Sequence, residues 1–346
     1  MAPVDILTLL KERHFRHHGQ DKPIIDTSTA TFLSMLKVIF TLLYVVPFYL
    51  SPTTRPSPTL NRDAPSVIRA RIRTVTLACL ISSAAIFGLL VLAAKVEASE
   101  ALHLLGYWPI SLFDILRACL LTILLFLGPL FEILLVDRAV GPESGRQLVE
   151  SLSSWQGYRN FIASPITEEA VFRSVLVPIH LLAKISLSKV VFLTPLYFGI
   201  AHIHHFYEFT LTHPHTPLSG AVLRSLFQFG YTTIFGWLAT FIYVRTASLF
   251  ACILIHSLCN WIGFPRLWGK LEGRQHYPSN HVIIRGKEDL QTHELRDRSG
   301  QLGLEWTVGY YILLVLGAVL FYLLLWPLTA SDHALAPFSE TAVKSA

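Results

Sequence analysis

Three groups of ionisable or amide side chains interrupt stretches of the sequence that are otherwise apolar. They are Glu168, Glu169 and Arg173; His202, His204 and His205; and His256 and Asn260. Ionisable groups inside apolar segments are costly, and by default they mark functional sites. Carboxylate and imidazole groups can move protons, and N–H donors can stabilise an oxyanion. The residue types therefore favour a hydrolytic site.

The first group is predicted to open a helix. Thr167 is a candidate N-cap, which would put Glu168 and Glu169 in the first turn, where the helix dipole favours negative charge. Glu169 and Arg173 are four residues apart and can pair on one helix face. Glu168 points about 100° away from that face and is free to face a cavity. The alternative is that both acids only complement the dipole, with one salt bridge.

The two histidine-containing groups each allow a functional and a structural interpretation. His202 and His205 share a helical face, whereas His204 does not, and the cluster could be a metal site, a pH-sensitive interface or packing. His256 and Asn260 are also four residues apart within an apolar segment. They could brace neighbouring helices through hydrogen bonds or donate hydrogen bonds to an oxyanion.

Taken together, these side chains suffice for amide hydrolysis without a serine or cysteine nucleophile. Glu168 and His202 can polarise a water molecule, while His256 and Asn260 steady the oxyanion. The alternative is a zinc ion held by Glu168, His202 and His256, because two His and one Glu form a known catalytic set. We favour the metal-free interpretation, because the sequence has no HExxH motif and only Glu169 would then remain as a base.

The composition places these groups in a membrane protein. Of 346 residues, 52% are hydrophobic and only 15% are charged, against about a quarter in soluble domains. The net charge of +5 does not favour a nucleic-acid partner, because most Lys and Arg residues lie in loops beside apolar stretches. The four cysteines lie in apolar stretches without zinc-site spacing.

The hydrophobic pattern predicts an all-α polytopic bundle of about eight transmembrane helices with a cytosol-facing catalytic cavity. The predicted spans are 32–50, 75–94, 116–136, 168–184, 188–205, 222–244, 248–265 and 307–328. The loops 51–73, 137–167, 206–221 and 266–306 then share one side and hold 15 Lys and Arg residues against ten on the other. The positive-inside rule places that side, and with it the polar groups, at the cytosol.

Around these spans we expect a simple domain organisation. Residues 1–30 are polar and predicted to be a mobile tail, and 329–346 form a second tail. The stretch 31–328 is predicted to be one membrane-embedded domain whose catalytic core covers 150–265. Loop 266–306, with mixed charges, is expected to be a solvated cytosolic segment.

Three ordered motifs carry a resemblance to a known family. Glu168-Glu169 with Arg173, Phe198 with His202, and His256 with Asn260 resemble the type II CAAX prenyl endopeptidases within the wider CPBP membrane proteases. Each motif is weak alone, but the ordered set on successive hydrophobic segments is specific. Residues 62–71 also look like the first loop of eukaryotic members, and the resemblance covers about 40–328.

The resemblance implies an endoplasmic reticulum protease that removes the last three residues of farnesylated or geranylgeranylated CAAX proteins. Ras-like and Rho-like GTPases and a-factor-like precursors are the implied substrates. It also implies that Glu168 and His202 activate the water, that His256 and Asn260 line the oxyanion hole, and that no metal cofactor is needed. Glu169 and Arg173 are implied to support the site.

Two other functions remain possible from the sequence. One is a related membrane protease with a different substrate. The other is a non-catalytic membrane scaffold or transporter that uses the same polar groups as helix braces. A transporter would be expected to show matching halves with interrupted helices, and the sequence shows no internal repeat.

Overall fold

The structure is a computed structural model that describes residues 27–57, 61–136, 149–150, 152–183, 185–273 and 300–335. The predicted tails therefore lie outside the described residues over 1–26 and 336–346, and so does most of loop 266–306. Apart from one short strand pair, the regular structure in these ranges is helical. This confirms the all-α prediction for the described part of the chain.

The helices follow the predicted apolar segments. They are α1 Thr27–Val45, α2 Pro47–Leu50, α3 Pro65–Gly88, α4 Ala98–Leu104, α5 Leu112–Leu125, α6 Leu127–Phe131, α7 Trp155–Tyr158, α8 Ser164–Glu169, α9 Leu176–Leu182, α10 Leu187–Ala201, α11 His204–Thr212, α12 Leu218–Thr246, α13 Leu249–Ile262 and α14 Leu304–Thr329. Wide π-type turns occupy Leu89–Ala93, Glu132–Val136, Arg159–Ala163 and Ala170–Val175. The strands β1 Glu272–Gly273 and β2 Gly300–Gln301 pair antiparallel.

Fewer of the described helices are able to span a membrane than the eight spans predicted from the sequence. Among the described helices, Pro65–Ala93 and Leu304–Thr329 are long and apolar enough to cross a membrane. A third candidate is the pair Leu112–Leu125 and Leu127–Val136, if the 79° bend between them belongs to one span. All eight predicted segments contain helix, and the chain is a membrane protein with several apolar helices. The number eight stays a prediction.

The described residues divide into two compact units. One contains the residues up to Ser111, Ile166–Cys252 and the stretch from Ser331. Its core includes Val171, Phe172 and Phe198, all at most 1% exposed. Helices α10 and α12 pack closely in this unit, because a Cβ added to Gly236 would lie only 2.6 Å from the Cβ of Pro195.

The other unit contains Leu112–Pro165 and Ile253–Ala330. Here α14 packs on α5 and α6, and a Cβ on Gly128 would lie 3.1 Å from the carbonyl oxygen of Tyr310. The fully buried Tyr310 accepts a 2.7 Å hydrogen bond from the backbone N–H of Arg266 at its phenol oxygen. The guanidinium of Arg266 pairs with Glu132 at 3.2 Å.

The predicted helix start at Thr167 is wrong. Helix α8 already begins at Ser164 and follows directly on the wide turns of Arg159–Ala163, so Thr167 lies within a helix. Glu168 and Glu169 are therefore not in a first turn, and the helix-dipole argument does not apply to them. The connection 206–221 was also expected to be a loop, yet α11 occupies its first half.

Candidate active site

Glu168 and His202 face each other within the first compact unit. Oε2 of Glu168 lies 4.0 Å from Nε2 of His202, and the two side chains are 14% and 15% exposed. The Nδ1 of His202 is 2.8 Å from the carbonyl oxygen of Phe198. Because a carbonyl oxygen only accepts, Nδ1 donates, and in the neutral ring the lone pair of Nε2 faces the carboxylate.

This spacing is suited to a bridging water molecule. At 4.0 Å the carboxylate and the ring nitrogen are too far apart for a direct hydrogen bond. Two acceptors at this separation can each take one hydrogen bond from a water molecule between them. Such a water molecule would be polarised from both sides, as general-base catalysis requires.

Side chains from α1 and α3 pack beside Glu168, where they contact its neighbours Thr167 and Phe172. The hydroxyl groups of Tyr44 and Thr167 lie 3.4 Å apart, and the Cys79 thiol donates to the carbonyl oxygen of Thr167 at 3.3 Å. Tyr44 also packs edge-on against Phe172, with 5.3 Å between ring centroids. No local pattern relates Tyr44 or Cys79 to Glu168, because both precede it by about a hundred residues.

Glu169 and Arg173 form the predicted ion pair. Their Oε1 and Nη1 atoms are 3.0 Å apart, and both side chains are essentially inaccessible to solvent. The guanidinium also lies over the rings of Phe198 and Phe235, at 4.7 and 5.5 Å from their centroids. Through Phe198, this pair links the segment after Glu168 to α10, the helix that directly precedes His202.

The histidine cluster is divided by a change of helix. Helix α10 ends at Ala201, and α11 begins at His204, so the cluster does not lie on one continuous helix. His202 and His205 still have ring centroids 5.9 Å apart. His205 donates from Nδ1 to Oε2 of Glu208 at 3.1 Å, and Glu208 is buried. Sequence reasoning missed Glu208, because it lay in an expected loop.

His256 and Asn260 lie on one face of α13, as their spacing predicted. His256 is only 5% exposed. Nδ2 of Asn260 donates to the backbone oxygen of Asn160 at 2.9 Å, within the second compact unit. Asn160 stands in the wide turn Arg159–Ala163. The sequence alone did not point to Asn160.

The site residues are thus distributed over the two units. Glu168 and His202 lie in the first, and His256 and Asn260 lie in the second. The structure brings Glu168 together with His202 and Glu169 together with Arg173. That these two pairs of residues act at one catalytic centre stays a prediction. Within the ranges that the structure describes, no three His, Cys, Asp or Glu side chains are grouped as a metal-ion site.

The candidate site coincides with a match to a known family. Residues 150–262 match the family described as type II CAAX prenyl endopeptidase Rce1-like. This range contains every residue of the three motifs named in the sequence.

Curated relatives extend the match over most of the chain. The probable CAAX prenyl protease 2 of Schizosaccharomyces pombe is 35% identical over 85% of this chain and 93% of its own length. CAAX prenyl protease 2 of Saccharomyces cerevisiae is 30% identical over 84% of this chain and 93% of its own length. The human protein of that name is 34% identical over 63% of this chain and 68% of its own length. No solved structure matches the chain.

Proposed function

Because the chain belongs to the type II CAAX prenyl endopeptidases, we propose that it releases the last three residues of farnesylated or geranylgeranylated CAAX proteins with water activated by Glu168 and His202. It is a membrane peptidase of the CAAX-processing class. The observation that supports the proposed mechanism is the 4.0 Å separation of the Glu168 carboxylate and the His202 ring.

The proposed reaction begins with proton abstraction. The Glu168 carboxylate takes a proton from the water molecule while Nε2 of His202 holds its second hydrogen, and the water oxygen attacks the scissile carbonyl carbon. The carbonyl oxygen becomes an oxyanion. The proton held by Glu168 then passes to the leaving amine as the C–N bond breaks. General acid–base catalysis of this kind contributes about 10²- to 10⁴-fold in rate.

The proposed oxyanion donors are His256 and Asn260. An amide Nδ2 carries two hydrogens, and in Asn260 one is directed to the backbone oxygen of Asn160. That hydrogen bond fixes the orientation of the amide and leaves its second hydrogen to donate to the oxyanion. The burial of His256 favours a fixed ring orientation as well.

Glu169 and Arg173 are proposed to support the site without contacting the substrate. A buried ion pair holds its place because loss of either partner leaves an uncompensated charge. Since Glu169 follows Glu168 and Arg173 lies over Phe198, the pair fixes the backbone from which both proposed proton-transfer groups extend.

The substrates and location follow from the same proposal. We propose Ras-like and Rho-like GTPases and a-factor-like precursors as substrates, and the endoplasmic reticulum membrane as the location. The chain would cross the membrane about eight times, with the catalytic cavity of residues 150–265 facing the cytosol and 31–328 forming the membrane-embedded domain. A prenyl chain in the bilayer would hold the scissile bond near that face.

The decisive experiment is turnover of a farnesylated CAAX peptide by the purified chain in lipid vesicles. We expect wild-type protein to release the tripeptide, and Glu168→Gln and His202→Ala to lower kcat by about 10²- to 10⁴-fold. Asn260→Ala should lower it by about 10²- to 10³-fold. Glu305→Gln and His215→Ala, which alter exposed residues of the same types, serve as matched controls. Normal turnover by Glu168→Gln would contradict the mechanism.

The zinc alternative is tested on the same preparation. A zinc ion bound by Glu168, His202 and His256 would be lost on stringent chelation, and activity would return on adding zinc. The metal-free mechanism predicts full activity after chelation, with metal analysis confirming that the protein contains less than one zinc ion per active site.

A further inference from the structure

A buried carboxylate outside the proposed catalytic residues joins two distant parts of the first compact unit. Glu208 on α11 is 3% exposed, and its two oxygens lie 2.9 Å from Arg62 and 2.8 Å from Arg71. His205 donates to the same carboxylate. We call these four residues, Arg62, Arg71, His205 and Glu208, the charged latch.

The latch is more than a surface ion pair. Burial alone would raise the pKa of the Glu208 carboxyl, but the hydrogen bond from His205 and the charges of Arg62 and Arg71 hold this pKa well below its usual range. Arg71 is itself fixed, because its Nε donates to the carbonyl oxygen of Thr54 at 2.9 Å. The Glu208 carboxylate is therefore charged and forms ion pairs with both arginines, which compensate its burial.

The latch acts on the first turn of α11, which adjoins His202. The Nδ1 of His204 donates to the carbonyl oxygen of Ala201 at 2.6 Å, and the phenol of Tyr49 donates to the carbonyl oxygen of His204 at 3.3 Å. The rings of His204 and His205 lie 4.0 Å apart, and His205 lies 5.9 Å from His202. A shift of α11 would therefore move His202, which directly follows the last residue of α10.

We propose that Glu208, held by Arg62 and Arg71, is a positioning residue that sets the place of the His202 ring relative to Glu168. The inference rests on the proposed role of His202 in the reaction. It also gives a function to Arg62 and Arg71 in the segment 62–71, which the catalytic proposal leaves unused. Because the Glu168–His202 gap suits one water molecule, a displacement of a few tenths of an ångström would impair its activation.

Glu208→Gln tests the proposal, since it keeps the shape of the side chain and removes its charge. The matched control is Asp63→Asn, which removes a partly exposed carboxylate 3.9 Å from Nε of Arg62 in the same segment. We expect Glu208→Gln to lower kcat about tenfold with KM within about twofold of wild type, and Asp63→Asn to change neither. The melting temperature of each protein is measured in parallel, so that kcat refers to folded enzyme.

A second readout does not depend on activity. Protein labelled on histidine gives an imidazole NMR signal for His202, assigned by its loss in His202→Ala, and we expect this signal to shift in Glu208→Gln but not in Asp63→Asn. An unmoved His202 signal together with unchanged kcat would overturn the proposal. If wild-type protein cleaved no prenylated peptide while the His202 signal still shifted, the proposed function would fail and the positioning role would stand.

If Glu208→Gln does not accumulate as folded protein, the same measurements are made on Arg62→Gln, in which Arg71 still pairs with the carboxylate. A smaller change in the same direction is expected for kcat and for the His202 signal. An Arg62→Gln protein identical to wild type in both would count against the latch.

Discussion

Glu169 and Arg173 are buried charges that each need the other as a partner, because a lone charge in an apolar environment is costly. Arg173 is among the largest fully buried side chains of the described chain, and its charge is offset by the carboxylate one turn earlier. Two aromatic rings flank the guanidinium and add cation–π stabilisation. Each side chain is therefore expected to stabilise the fold only while its charged partner is present.

We predict that Arg173→Met destabilises the protein by about 3–5 kcal/mol, because it leaves the Glu169 carboxylate without its charged partner. The double variant Glu169→Gln/Arg173→Met should be less destabilised than Arg173→Met alone, since it buries no uncompensated charge. Thermal unfolding in detergent of wild type, Glu169→Gln, Arg173→Met and the double variant measures the coupling. A loss in the double variant equal to the sum of the losses in Glu169→Gln and Arg173→Met would show that the pair contributes nothing as a pair.

The residues that sequence could predict are those whose partners are nearby along the chain. The spacing of four residues was enough to predict the Glu169–Arg173 pair, which the structure confirms. Arg62 and Glu208 are 146 positions apart, and no local pattern relates them. Glu168 and His202 were paired because a carboxylate and an imidazole can together polarise water, and the structure places their side chains 4.0 Å apart.

At the scale of elements, the close contact of α10 and α12 determines where His202 stands. Gly199 lies three residues before His202, and a Cβ there would meet the Thr233 hydroxyl and, at 3.0 Å, the ring of Phe229. Only glycine allows this approach, as in other tightly packed helix pairs in membranes. Gly230, on α12, has nothing within 4 Å of an added Cβ.

Gly199→Ala is predicted to destabilise the protein by about 1–3 kcal/mol through overpacking, and to lower kcat because it separates α10 from α12 near His202. Gly230→Ala is the matched control. It should leave kcat unchanged and keep or raise stability, since alanine favours helix by up to about 1 kcal/mol. Melting temperature and kcat are compared for the two variants. A Gly199→Ala protein as stable and active as Gly230→Ala would show that the contact tolerates a methyl group.

Helix ends near the site were the least predictable elements. The capping pattern at Thr167 has the right residue types, but the chain continues helical from α7 through wide turns, so no cap forms. A π-type turn depends on how the helix packs and leaves no clear periodicity in the sequence. The position of Asn160 in such a turn, where its carbonyl accepts from Asn260, could not be predicted for the same reason.

For the whole molecule, the apolar surface is the property that sequence predicted best. The mean hydropathy of +0.50 agrees with the long helix α14, whose most apolar window is only 11% buried. Its exposed side chains include Val308, Ile312, Val315 and Val319. A contiguous apolar surface of this kind suits a lipid environment. A prenylated substrate would also partition into the same membrane.

The lipid chain attached to the substrate is therefore predicted to determine kcat/KM. Each buried CH₂ of a lipid chain contributes about 0.8 kcal/mol of membrane binding, so four such groups correspond to roughly a two-hundredfold change. In vesicles, we expect an unprenylated CAAX peptide to show kcat/KM at least about a hundredfold below the farnesylated peptide of the same sequence. Peptides carrying progressively shorter S-alkyl chains should fall between the two, mainly through KM. Equal kcat/KM across this series would exclude recognition through the lipid and would favour a membrane protease that selects its substrates by sequence alone.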